Sequence, residues 1–185
     1  MRAIHAVLAA SLLAVGCSKP APPPARPVAA AAAPTSASGP AAQPAAAPAS
    51  GPAVSGTYLG SGKDAGLTQV TAHAGEPFDG KPVTVLVFSA KDQTGSQKPD
   101  FDAIFGKFGN AMVLHVRPDG SIVEADLIHE GLEGADRSVS VGGVLTLKDY
   151  KNAGGQISGV VTSGGVHDVF GKPLDVNLSF HTAAP

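Results

Sequence analysis

The chain has 185 residues, enough for one domain with something left over. It carries 13 basic and 15 acidic side chains, and all of the acids follow residue 54, where 8 Lys and 2 Arg oppose them; that region stands near −5 and is poorly suited to nucleic acid or anionic lipid headgroups. Cys17 is the single cysteine, so an intrachain disulfide is excluded and any fold must be held by its core.

Met1-Arg2 places one positive side chain ahead of Ala3–Gly16, a run that is apolar apart from His5 and Ser11. As a helix, some 14 residues reach about 21 Å, short of the ~30 Å hydrocarbon core of a bilayer. That length suits the apolar region of a secretory signal. The run closes on Leu13-Ala14-Val15-Gly16-Cys17, which resembles the lipobox of bacterial lipoproteins. The resemblance implies that residues 1–16 are a signal peptide, that Cys17 becomes the lipidated N-terminus, and that its acyl chains, palmitate among them, hold the protein in a membrane of the cell envelope. Each buried CH₂ contributes about 0.8 kcal/mol, so several chains anchor firmly where one does not. Ser18 stands where an Asp signals inner-membrane retention in that family, which implies the outer membrane.

Residues 18–54 hold 15 Ala and 10 Pro among 37 positions, with Lys19 and Arg26 as the only charges. Proline recurs too often for a helix to persist. The stretch reads with Cys17 as a disordered, polyproline-like tether, at ~3.1 Å per residue where extended. The remaining 131 residues, 55–185, have the composition of a globular domain.

Within that domain the period of two dominates. Gly56–Leu59 and Leu67–His73 read as strands. Between them Gly60-Ser61-Gly62-Lys63-Asp64 looks briefly like a phosphate loop, but Thr57 and Asp64 stand where that motif needs Gly and Ser/Thr, so it reads as a turn. Val83–Phe88 is apolar on both faces, as a central strand is. Phe101, Ile104, Phe105 and Phe108 follow the spacing of a two-turn helix that lays three phenylalanines on the core, with Asp100 after Pro99 as its N-cap. Ala111–Val116 and Ser121–His129 flank Arg117-Pro118-Asp119-Gly120, which reads as a type I turn closing a hairpin. Val139 to Leu147 alternates as one strand, and Asn152–Gly155 turns Val144–Asp149 back onto Gln156–Thr162. Leu174, Val176, Leu178 and Phe180 face one way in the last strand. The pattern predicts an all-β antiparallel sandwich of about eight strands with one short helix; an up-and-down barrel fits the same signals.

Chemistry is sparse. The five domain histidines, His73, His115, His129, His167 and His181, show no metal-ligand spacing. His129, Glu130, Glu133 and Asp136 form the densest polar cluster and are candidate binding residues, although their spacing differs from a calcium loop. The segment Ser163–Pro173 is more apolar than a surface loop requires; His167, Asp168 and Phe170 are candidate binding residues, while Val166, Val169 and Phe170 either return to the core or form a contact surface. No Gly-x-Ser-x-Gly elbow is present. These readings predict an outer-membrane-anchored lipoprotein presenting a non-catalytic β-domain to an envelope protein or glycan, without cofactor, metal or nucleic acid. Two alternatives stay open. One is an envelope enzyme with a His/carboxylate site. The other is an inhibitor of a basic periplasmic enzyme such as lysozyme, whose small lipoprotein inhibitors carry a Ser-Gly-rich loop that Ser55–Tyr58 and Gly60–Lys63 loosely resemble.

Overall fold

The structure, a computed structural model, describes residues 53–132 and 138–185. Two antiparallel sheets pack face to face, and neither closes into a barrel among the described residues. The first contains β1 (Val54–Gly60), β2 (Lys63–Asp64), β8 (Thr146–Ala153), β9 (Gln156–Thr162), β10 (His167–Val169) and β11 (Lys172–Ala183). Its order is β2-β1-β11-β9-β8, with β10 folded back on β11. The second is β3 (Gln69–Phe78), β4 (Lys81–Ser89), β5 (Ala111–Val116), β6 (Ile122–Ile128) and β7 (Ser138–Val141), paired in chain order. The all-β sandwich is therefore the observed fold, with eleven strands among the described residues, three of them only two to four residues long.

Alternation builds the core. Leu174, Val176, Leu178 and Phe180 of β11 are buried, and they meet Leu86 and Phe88 of β4 and Met112 and Leu114 of β5. Phe88 and Phe180 touch edge to face across the sheets, with ring centroids 5.1 Å apart. Each such side chain contributes about 1.5–3 kcal/mol on leaving water. The hairpin turn after β5 closes as expected, with Gly120 N–H donating to the Arg117 carbonyl at 2.9 Å.

β4 is central and buried on both faces. Its odd residues Val85 and Val87 point away from the sandwich, where helix α1 (Pro99–Ile104) and the turn after it cover them with Ala103 and Phe108. The helix thus lies on the outer face of the second sheet rather than between sheets. It also departs from the expected two turns. Gly106, at φ +73°, stops it, and its N–H caps the Ala103 carbonyl at 2.8 Å. Phe108 reaches the core through the turn, whereas Phe101 and Phe105 stay 55% and 67% exposed. Asp100 is not the N-cap; Lys98 holds that position, Pro99 opens the helix and Asp100 sits in its first turn.

The expected strand Val139–Leu147 is two strands in different sheets. Gly143 takes φ +70°, and the chain leaves β7 to enter β8 on the other side of the sandwich. Gln93 pins the segment between β4 and α1: its amide nitrogen donates to the Val87 carbonyl and Ser89 Oγ, both at 2.9 Å, and its oxygen accepts from Thr71 Oγ1 at 2.7 Å.

Candidate functional site

His129 and Glu130 from one predicted cluster, and the β10–β11 hairpin that carries the other, come to one end of the sandwich, on either side of the β1–β2 turn. Ser61 N–H donates to the Pro173 carbonyl at 2.8 Å on the side of the β10–β11 hairpin. On the other side Ser61 Oγ donates to the Gly131 carbonyl at 2.7 Å, next to His129.

His129 is a core residue, only 1% exposed. Its Nδ1 accepts from Gly131 N–H at 2.8 Å, which leaves Nε2 as the protonated nitrogen facing the Lys63 carbonyl at 3.0 Å. The Gly60 N–H also approaches Nε2, at 3.2 Å. The ring stands edge-on to Tyr58, with centroids 4.8 Å apart. A Cβ on Gly60 would meet this ring at 2.7 Å, and one on Gly131 would meet the Gly60 carbonyl at 2.0 Å, so both glycines are required by close approach. Burial pushes the imidazole below its ordinary pKa, against the raising effect of its backbone partners. His129 is thus a neutral latch between the sheets, with both ring nitrogens engaged inside the fold. Glu130 lies on the surface within 3.7 Å of Lys63 Nζ. Glu133 and Asp136 lie outside the described residues, as does Cys17.

The β10–β11 hairpin behaves differently. Val169 pairs with Lys172, so the loop is Phe170-Gly171, at φ +52° and +79°. Three other hairpins turn the same way: Ser61-Gly62, Asp79-Gly80 and Gly154-Gly155, each with positive φ at both positions. Such type I′ turns favour Asn, Asp or Gly, because a side chain at positive φ crowds its own backbone. Phenylalanine is the misfit, and its conformation costs about 1–2 kcal/mol. Nothing inside the fold compensates, since Phe170 is 82% exposed. Its neighbours hold the turn: Asp168 Oδ1 accepts from Gly171 N–H at 2.9 Å, and His167 Nε2 sits 2.7 Å from the Ser163 carbonyl. Val169 returns to the core, while Val166 is 69% exposed and borders a groove of about 230 Å³ walled by Leu59, Gly62 and Pro173. Of the three apolar side chains in this segment, one thus faces inward and two face outward.

Register also gathers residues that spacing could not. His73 pairs with Val85, and Val85 with His115, so both histidines stand on the outer face of the second sheet. With Glu76, Lys98, Asp100 and Phe101 they line a cleft of about 730 Å³. No group of three or more His, Cys, Asp and Glu able to hold a metal ion occurs among the described residues. No helix among them is long and apolar enough to cross a membrane. No protein-family model, curated protein or solved structure matches the chain.

Proposed function

We propose that this chain is a lipoprotein anchored to the outer membrane through Cys17, and that its β-sandwich binds an envelope protein without catalysing a reaction. The observation that carries this reading is Phe170, a large aromatic ring held in a strained turn conformation and displayed to solvent. Strain at a residue with no packing role points to function. An exposed aromatic at a hairpin tip suits the anchor of a protein interface, where a few such side chains carry most of the binding energy. Val166 and the adjacent groove extend the apolar contact. The Ala/Pro-rich composition of residues 18–52 suits a spacer between the lipid and the domain, which begins at β1.

The test places a benzophenone amino acid at position 170 of the full chain in its host cell. The reading predicts one discrete cross-linked protein species from position 170 and none from position 92, an exposed site elsewhere on the surface. Absence of any adduct at 170, or the same adduct from both positions, contradicts it.

A further inference from the structure

The cleft beneath α1 is a second site, built from different elements. We propose that it binds a neutral oligosaccharide. Three features converge there. First, His73 Nε2 and Asp100 Oδ1 lie 3.8 Å apart, too far for a hydrogen bond yet close enough for one hydroxyl to bridge. A sugar hydroxyl can accept from a ring N–H and donate to a carboxylate at once. Second, Phe101 forms part of the wall, and its ring lies 4.4 Å from that of Phe105 at an interplanar angle of 39°. Phe101, exposed at the cleft wall, offers an aromatic surface to the C–H side of a pyranose. Third, the lining mixes signs. Glu76 and Asp100 disfavour an anion such as phosphate, while Lys98 disfavours a simple cation. What remains complementary is a ligand with many hydroxyls, an apolar face and no net charge. About 730 Å³ falls within the range of small-molecule sites, roughly 300–1,000 Å³, and admits a short chain of rings.

This inference is independent of the Phe170 reading. The experiment titrates the full, isotopically labelled chain in detergent with three neutral tetrasaccharides: β-1,4-linked glucose, β-1,4-linked N-acetylglucosamine and α-1,4-linked glucose. Amide shifts are followed to about 10 mM ligand, a range that captures affinities near 1 mM. The expected result is that at least one sugar shifts resonances of residues 73–76 and 98–101. Phe101→Ala should then weaken that affinity about five- to tenfold, the range of a lost aromatic contact. Asp100→Ala should weaken it about tenfold, and Phe170→Asn should leave it unchanged. Phe101 and Asp100 are both outside the buried core, so loss of folding is not expected to intervene. No shift with any sugar, or equal affinity in wild type and Phe101→Ala, overturns the proposal. Shifts confined to the Phe170 hairpin overturn it while leaving the protein-binding reading in place.

Discussion

Replacing His129 by alanine separates a structural histidine from a binding one. The substitution removes the acceptor of Gly131 N–H at 2.8 Å, the donor to the Lys63 carbonyl at 3.0 Å and the ring packed 4.8 Å from Tyr58. Two hydrogen bonds at about 1 kcal/mol each, a buried N–H left unpaired and a partly collapsed void together amount to about 3–4 kcal/mol. That is a large part of the roughly 5–15 kcal/mol that holds a domain folded. Protonation should act in the same direction as truncation. The folded-state pKa is lowered from the ordinary 6.5 by burial, so the unfolded chain binds the proton more tightly. The latch therefore contributes fully above pH 6.5, and its contribution falls as pH drops from 6.5 toward the lowered folded value. The slope cannot exceed about 1.4 kcal/mol per pH unit for one proton. Urea unfolding followed by far-ultraviolet circular dichroism, at about pH 7.5 and about pH 5.5, measures both effects. Wild type should lose stability between the two, and His129→Gln should lose less, the difference isolating this imidazole from the other histidines. A His129→Ala variant within about 0.5 kcal/mol of wild type, the range of an ordinary surface change, would refute the latch. So would identical pH slopes in wild type and His129→Gln.

Other expectations follow from single contacts. Tyr58 is fully buried, burial holds its phenol well above the ordinary pKa, and its hydroxyl has no hydrogen-bond partner among the described residues. Tyr58→Phe should therefore be neutral or stabilising by up to about 1 kcal/mol in the same urea assay, and a clear loss would mean that the hydroxyl is satisfied. Gln93→Ala breaks the bonds to Val87, Ser89 and Thr71 and should destabilise by about 2 kcal/mol, with faster proteolysis in the segment between β4 and α1. Labelled palmitate should enter the wild-type chain and not Cys17→Ser; equal labelling would contradict the lipid anchor.

Much of the fold was legible because sheets with one wet face write a period of two into the chain. Leu174, Val176, Leu178 and Phe180 are the clearest case, and all four are buried. Val83–Phe88 announced a central strand because apolar side chains are needed on both of its faces. Periodicity misled where the chain changed partner without changing pattern. Val139 to Leu147 alternates through Gly142 and Gly143, yet the glycine turn carries it from one sheet to the other. The phenylalanine spacing at 101, 105 and 108 ignored Gly106, which ends the helix and leaves two rings outside. The candidate site was legible only as residue types. Phe170 stood out as apolar in a loop, but its positive φ is a property of the two-residue hairpin that β10 and β11 impose. His129 looked available because two facing glycines, Gly60 and Gly131, give no sequence sign that they make room for a ring. His73 and His115 meet only through the register of β4, which lies between them.

The central claim is that Phe170 is kept for contact at the expense of stability, and Phe170→Asn tests it most directly. Asparagine accepts the positive φ of a type I′ turn, and at 82% exposure the ring gives up little packing. Stability should rise by about 1 kcal/mol, which is roughly 2–6 °C in Tm for a domain of this size. The same variant should lose the envelope partner identified by cross-linking from position 170. Higher stability with binding lost is the predicted result. Lower stability, or partner binding that survives the substitution, would contradict the account.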